Sequence, residues 1–205
     1  MSCGTMNGEV ARSDGGDEGR RAGRSRSEVV ATRHVAVYPG SFDPFTVGHR
    51  EVAERAGRLF GEVVVAVACD AEKEHLFSVA ERVEMATDAC RDLPNVRVDS
   101  FQGLVVGYAL NQGAQALVKG LRAVSDFERE MQMDAMNREL APGLDTLYLM
   151  ATPAFTSLSS SLLKHVCRLG GDVSRFVTPL VLARLEERLR GNDVSGVTCQ
   201  VSGDR

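Results

Sequence analysis

The sequence predicts an α/β protein with a doubly wound parallel sheet in a single domain. Apolar segments of strand length alternate with amphipathic segments of helical length between residues 33 and 192. Residues 62–68 have the sequence E-V-V-V-A-V-A. Such a run of β-branched residues is typical of a parallel strand that is covered on both faces. Strands and helices that alternate in this order build βαβ units.

Each element has its own signal. Residues 33–38 form an apolar run that ends at a Pro-Gly turn, which predicts the first strand. Residues 48–60 carry apolar side chains at helical spacing. The helix predicted at 78–90 begins with Ser78 and Glu81, the spacing of a capping box. Short apolar runs and 3.6-residue periodicity predict the remaining elements, with Gly170 ending one helix and Pro179 beginning the last. These are strands at 96–98, 116–119 and 146–150, and helices at 104–110, 126–140, 159–169 and 179–189.

The two ends of the chain differ from this domain. Residues 1–32 are predicted to be a disordered extension and residues 193–205 a short tail, because both lack the apolar clusters that a core needs. Four arginines between positions 20 and 26 either contact an anionic surface or belong to a solvated tail.

Composition excludes several classes of protein. The net charge of −4 gives no basic footprint for nucleic acid. The five cysteines contain no C-x-x-C pair and their number is odd, so neither a disulfide framework nor a zinc site is expected. No apolar run approaches the roughly 20 residues of a membrane helix, and no signal peptide is visible. A cytoplasmic protein without a membrane partner is the prediction.

Ligands of a doubly wound sheet bind beyond the carboxyl ends of its strands, so the residues after each strand are the candidates. The loop after the first strand runs P-G-S-F-D-P-F-T-V-G-H from Pro39 to His49. Gly40 is expected to let the backbone approach a ligand, and Ser41 offers a hydroxyl. His49 opens a helix, where N–H groups favour an anion and the imidazole can donate to a phosphate oxygen. The alternative is a histidine that only caps the helix.

Cations follow two further strands. Lys73 comes after the second strand, and Lys119 and Arg122 flank Gly120 after the fourth. A point charge, a glycine and a forked donor suit an oligophosphate. Solvated surface charges are the alternative interpretation, and His75 is expected to be a surface residue.

A hydroxyl-rich segment follows the fifth strand. Five of the six residues from Thr156 to Ser161 carry hydroxyls, and a helix begins there. One hydroxyl suffices for an N-cap, so the surplus is expected to bind phosphate. Glu130, on the helix after Arg122, is either a ligand of the site or a solvated carboxylate. No Cys/His cluster has metal-ligand spacing.

Together these motifs resemble the nucleotidyltransferase superfamily that carries an H/T-x-G-H loop, here T-V-G-H at 46–49. The string at 39–49, K-G-L-R-A-V-S-D-F-E-R-E at 119–130 and S-S-S-L-L-K at 159–164 most closely resemble the phosphopantetheine adenylyltransferase family. The resemblance runs in order from about residue 33 to residue 190. It implies a Rossmann-like fold, usually a homo-hexamer, that transfers AMP from ATP to 4'-phosphopantetheine with Mg²⁺ during coenzyme A synthesis.

The resemblance also implies residue roles. His49, Lys73 and Arg122 would be catalytic. The phosphopantetheine would contact Ser41, Lys73, Val105 and Lys119. ATP would contact Ser41, Phe42, His49, Gly120, Leu121, Arg122, Glu130, Phe155, Thr156, Ser157, Leu158, Ser159, Ser160 and Ser161.

The chain departs from the family pattern at three positions. Ser41 stands where the family often has threonine, Lys119 where it often has arginine, and Ser157 where it often has an aromatic residue. Lysine keeps the charge but loses bidentate binding. Other acceptors stay open, namely nicotinate mononucleotide, or glycerol phosphate with CTP as donor. A nucleotide-sensing module without turnover is the non-enzymatic alternative.

Overall fold

The computed structural model describes residues 34–190. The strands are Val35–Gly40 (β1), Glu62–Ala68 (β2), Val96–Phe101 (β3), Ala114–Leu121 (β4) and Asp145–Met150 (β5). The helices are Val47–Gly57 (α1), Val79–Cys90 (α2), Val105–Asn111 (α3), Val124–Leu140 (α4), Ser160–Arg168 (α5) and Pro179–Arg190 (α6), with 3₁₀ turns at Pro153–Phe155 and Ser174–Phe176. Every predicted strand and helix is confirmed in type and order. The predicted tails, 1–32 and 193–205, lie outside the described residues.

The strands form one five-stranded sheet in the order β3-β2-β1-β4-β5, and every neighbouring pair is parallel. The chain builds outward from β1 to β3, then returns to the other side of β1 with β4. The strand order therefore reverses between β1 and β4. In an open α/β sheet, the crevice at the carboxyl ends of such strands is the usual place for a ligand.

The core lies on both faces of the sheet. One face buries the rings of Phe45 and Phe77 and the side chains of α1, α2, α5 and α6. The opposite face buries Val37, Val64 and Leu117 against α3. Because β2 is covered on both faces, its five central residues are all buried, which confirms the prediction from its uninterrupted apolar run.

Strands β3 and β4 are longer than predicted. β3 continues past Val98 through Asp99 and Ser100 to Phe101, because its backbone stays paired with β2 up to the pair Ala68–Phe101. Polar side chains at this edge strand hide the strand signal, since pairing depends on the backbone alone.

Helix α4 contributes little to the core. Asn137 is its only buried residue among those that the structure describes. Met133, Met136 and Leu140 are each at least half exposed and lie on one face of the helix, whereas Met131, also half exposed, lies on the opposite face. Within residues 34–190, no helix has the length and apolar character needed to cross a bilayer.

Candidate active site

The loop after β1 places His49 in the first turn of α1, and Thr46 caps that helix. The hydroxyl of Thr46 accepts from the N–H of His49 at 3.3 Å, and Nδ1 of His49 accepts from the N–H of Thr46 at 3.1 Å. Histidine thus takes the position that glutamate or glutamine occupies in a capping box. Because Nδ1 accepts, this assignment puts the hydrogen of the neutral ring on Nε2, which is then free to donate to a ligand.

The imidazole of His49 is neutral near pH 7. The rings of Phe42 and Phe45 lie 5.1 Å and 5.4 Å from it, centroid to centroid. Burial lowers the pKa of His49 to about 4, and the charge of Arg122 adds to the effect. Capping uses one ring nitrogen and leaves the other as a donor. The structure confirms the helix cap, which is compatible with the donor role of His49, and that role stays a prediction.

Protein side chains pack closely against two glycines of the site. The backbone of Phe42 has a φ of 49°, and its buried ring packs edge-on against Tyr38 at 5.2 Å. A Cβ atom on Gly40 would lie 2.7 Å from the ring of Phe42. A Cβ atom on Gly120 would lie 3.1 Å from Val52 and 3.3 Å from the hydroxyl of Tyr38. Both glycines also line a cavity of about 450 Å³, so the close approach of a ligand that they would allow stays a prediction.

Asp43 joins three segments of the site. Its carboxylate accepts from the N–H groups of Leu76 and Phe77, at 2.9 Å and 3.0 Å, and from Nζ of Lys164. Burial alone would raise the pKa of Asp43, but the hydrogen bonds from Lys164 and the two N–H groups outweigh it and lower the pKa below its ordinary value. The loop after β1, the loop that carries Lys73 and helix α5 are thereby tied together.

Asp43 and Lys164 are not among the predicted site residues, although both lie within the sequence motifs at 39–49 and 159–164. Lys164 is four residues after Ser160, so both side chains share a face of α5. Ser160 donates its hydroxyl hydrogen to the carbonyl of Pro44 at 2.8 Å. Their shared face was a usable signal that the loop after β1 packs against the start of α5.

The predicted cations line one cavity, and each is paired with a carboxylate. Nζ of Lys73 lies 3.4 Å from a carboxylate oxygen of Asp70. Nζ of Lys119 lies 2.8 Å from a carboxylate oxygen of Glu130, which is therefore paired rather than freely solvated. Nε of Arg122 lies 3.1 Å from a carboxylate oxygen of Asp126. The side chain of Lys73 is 68% exposed at the cavity rim. All three cations remain accessible to an anion, because each contributes to the cavity wall.

This cavity, of about 450 Å³, lies at the carboxyl ends of β1 and β4. His75 also lines it, contrary to its assignment to the surface, and its Nε2 is buried without a hydrogen-bond partner among the described residues. The cavity wall brings together most of the predicted site residues: Ser41, Phe42, His49, Lys73, Lys119, Gly120, Arg122, Glu130, Ser159, Ser160 and Ser161.

Some predicted ATP contacts lie elsewhere. The side chain of Leu121 is 3% exposed and belongs to the interior, so only its backbone can face a ligand. Phe155 and Leu158 line a small adjoining cavity of about 50 Å³. Thr156 and Ser157 are exposed and line neither of these cavities.

The hydroxyl-rich segment is less free than expected. Ser159 caps α5 by accepting from the N–H of Leu162 at 3.1 Å, and Thr156 donates to the carbonyl of Pro153 at 3.1 Å. With Ser160 committed to a carbonyl, three of the five hydroxyls make structural hydrogen bonds. Ser159 only accepts, so its hydroxyl hydrogen remains available, and Ser159, Ser160 and Ser161 all line the cavity, so their binding of phosphate stays a prediction.

A second cavity of about 570 Å³ adjoins the first, and Ser41 and Lys119 line both. Its wall is mainly apolar and includes Phe101, Val105 and Met133. Cationic and apolar chambers side by side suit a ligand with a phosphate at one end and an apolar arm at the other.

A parallel sheet, a neutral histidine at a helix N-terminus and a cationic crevice define a nucleotide-handling α/β protein of the nucleotidyltransferase class. Residues 37–166 match the model of the cytidylyltransferase-like family, to which the chain belongs. The phosphopantetheine adenylyltransferase of Heliobacterium modesticaldum is 51% identical over 162 residues, covering 79% of this chain and 96% of that relative. That of Thiobacillus denitrificans is 48% identical, covering 77% of this chain and 99% of the relative. Within its class, the chain is therefore a member of the phosphopantetheine adenylyltransferase family of enzymes.

Solved structures agree on the fold. A nicotinic acid mononucleotide adenylyltransferase from Plasmodium falciparum, complexed with NaAD, superposes with a TM-score of 0.56 at 15% identity, covering 76% of this chain and 95% of that one. A nicotinate-nucleotide adenylyltransferase assigned as putative in Vibrio parahaemolyticus gives a TM-score of 0.54 at 17% identity, covering 75% and 91%.

Proposed function

We propose that this enzyme transfers the adenylyl group of ATP to 4'-phosphopantetheine and releases dephospho-coenzyme A and pyrophosphate. The observation that carries the proposal is the pair of adjoining cavities, one cationic with a neutral His49 and one apolar, in a chain about half identical to phosphopantetheine adenylyltransferases. ATP would occupy the cationic cavity, and the pantetheine arm would lie in the apolar one beside Val105.

The reaction needs no covalent intermediate. An oxygen of the acceptor phosphate attacks the α-phosphorus of ATP, a new P–O bond forms, and the bond to the α–β bridging oxygen breaks as pyrophosphate leaves. The second pKa of a phosphate monoester is about 6, so the acceptor is already a competent nucleophile at neutral pH. The protein's task is to bring two mutually repelling anions into line and to stabilise charge on the α-phosphate.

The residues of the cavity divide this task. His49 donates from Nε2 to the transferred phosphate, and Lys73 and Arg122 offset the charge of the phosphates. Lys119 holds the acceptor phosphate, since it lines both cavities. Its partner Glu130 must then exchange the ion pair for a contact with the nucleotide.

Mg²⁺ fits this arrangement as an ion carried by the substrate. Among residues 34–190, no group of three or more acidic, histidine or cysteine side chains is placed to hold a metal. Mg²⁺ commonly keeps its waters and binds through substrate phosphates rather than in a protein cage. When bound to ATP, it would neutralise charge on the pyrophosphate leaving group.

The assembly and location belong to the same proposal. Three exposed apolar side chains on one face of α4, those of Met133, Met136 and Leu140, support burial against other copies in a homo-hexamer. The cysteine pattern supports a reducing, cytoplasmic location.

Pyrophosphate release tests the reaction. Purified protein with ATP and Mg²⁺ is expected to release pyrophosphate only when 4'-phosphopantetheine is added. Parallel assays with nicotinate mononucleotide, and with CTP and glycerol phosphate, identify a different acceptor if one is used. If the protein binds ATP but releases no pyrophosphate in any of these assays, the result favours a nucleotide-sensing module over an enzyme.

A further inference from the structure

Arg82 lies on the first turn of α2 and is 2% exposed. By volume, it is the largest of the fully buried side chains that the structure describes. A buried cation is costly unless its hydrogen bonds are satisfied. All of its acceptors within residues 34–190 are main-chain carbonyls. Arginine cannot discard its charge, so this arrangement is maintained at every physiological pH.

The three carbonyls belong to different segments around the cavity. Nη1 donates to Ser41 at 2.6 Å, in the loop after β1, and to Ala68 at 3.1 Å, at the carboxyl end of β2. Nε donates to Phe77 at 3.1 Å, at the end of the loop that carries Lys73. One planar guanidinium therefore fixes the backbone of all three segments at once.

The contact with Ser41 sets the direction of the next N–H. In a trans peptide the carbonyl and the N–H point in opposite directions. The carbonyl of Ser41 points at Arg82 in the interior, so the N–H of Phe42 points away from it. Ser41 and Phe42 both line the cationic cavity, and Phe42 has the uncommon φ of 49°. A charge-assisted hydrogen bond to the preceding carbonyl helps to maintain this conformation.

We propose that Arg82 is a positioning residue that holds the Ser41–Phe42 peptide with the N–H of Phe42 directed at the nucleotide. The inference rests on the proposed ATP site. Asp43 supports the same geometry, since it accepts from the N–H of Phe77 while Arg82 donates to the carbonyl of Phe77. Arg82 acts through the backbone and does not itself contact the substrate.

The test uses full-length Arg82→Met and Arg82→Lys. Methionine keeps much of the apolar stem and removes every donor, whereas lysine keeps the charge without the planar fork. Arg50→Met is the matched control. The guanidinium of Arg50 also donates to a carbonyl, that of Ala89 at 3.0 Å, but at the opposite end of α2. Calorimetric titration with a non-hydrolysable ATP analogue gives nucleotide affinity, and urea unfolding gives stability. Proteins labelled with ¹⁵N-phenylalanine report the amide signal of Phe42.

Both Arg82 variants are expected to bind the analogue about tenfold or more weakly, the scale of a lost charge-assisted hydrogen bond. The analogue should shift the Phe42 amide signal in the wild type and much less in Arg82→Lys. Arg50→Met should lose stability while affinity stays within about twofold, on the same energy scale. Folded Arg82→Met with unchanged affinity and an unchanged Phe42 shift would overturn the proposal.

If Arg82→Met does not fold, Arg82→Lys decides by the same two readouts. Failure of the proposed reaction would be detected separately, because the wild-type protein would then bind ATP but release no pyrophosphate when the acceptor is added. Nucleotide affinity still tests Arg82 in that case.

Discussion

Substitution of His49 separates its two functions, capping α1 and donating to phosphate. Alanine removes both ring nitrogens. Asparagine places its amide oxygen near the position of Nδ1, where it can still accept from the N–H of Thr46, and has no atom at the position of Nε2. Comparing His49→Ala with His49→Asn therefore isolates the contribution of the Nε2–H donor to turnover from that of the cap to stability.

The geometry gives the magnitudes. The hydrogen bond from Thr46 to Nδ1, at 3.1 Å, is worth about 0.5–1.5 kcal/mol of unfolding free energy. His49→Ala also loses the packing of the ring against Phe42 and Phe45, so it should be about 1–3 kcal/mol less stable than the wild type. Loss of one preorganised donor to the transition state lowers turnover about a hundredfold or more, and both variants lose that donor.

The assay is pyrophosphate release at saturating ATP and acceptor, with nucleotide affinity and urea unfolding measured on the same preparations. We expect both variants to be at least about a hundredfold slower. ATP affinity should change only modestly, and His49→Asn should be the more stable of the two. His49→Asn with turnover within about tenfold of the wild type would refute the catalytic role of Nε2, since a lost donor costs more than this.

Three further predictions concern the protonation of His49, the ion pair of Asp43 with Lys164 and the exposed surface of α4. Because His49 has a pKa of about 4 in the folded protein and an ordinary value near 6.5 when unfolded, the unfolded state takes up more protons between these values. The stability advantage of the wild type over His49→Asn, measured by urea unfolding, should thus shrink as pH falls from 6.5 towards 4; a gap independent of pH would contradict the neutral imidazole. Lys164→Met leaves the carboxylate of Asp43 without the lysine that pairs with it, so the free energy of unfolding should fall by about 2 kcal/mol. The loss is smaller than for a fully buried ion pair because Lys164 is partly exposed. An unchanged midpoint of urea unfolding would contradict this prediction. Met136→Glu places a charge on the apolar face of α4 and should dissociate the assembly in light scattering, whereas Leu59→Glu, at a comparably exposed position, should not; a wild-type monomer would contradict the proposed oligomer.

The order of strands and helices was predictable because its causes are local. The uninterrupted apolar run of β2 could only be buried on both faces, and Ser78 with Glu81 marked the start of α2 through a capping box that the structure confirms. Helix α5 ended near Gly170, as its sequence indicated. Boundaries were less predictable at β3, where pairing of the backbone continues through polar residues.

The position of the cavity that carries the candidate site was also predictable. In a parallel sheet the carboxyl ends of the strands lie at one edge, so residues that follow different strands meet there. His49, Lys73 and Arg122, which follow three different strands, accordingly share one cavity wall with Lys119 near the carboxyl end of β4.

The sequence by itself determined the fold class, the edge of the sheet that carries the site and the residue types available there, since periodicity, caps and strand ends are local properties of the chain. Only the tertiary structure decided which polar groups pair between distant segments. Lys164 reaches Asp43 across 121 positions, Arg82 selects three carbonyls from three segments, and the hydroxyl of Ser160 donates to the carbonyl of Pro44. Such contacts depend on the direction in which each side chain leaves its element and on which groups packing hides from water. No spacing within the sequence encodes either quantity.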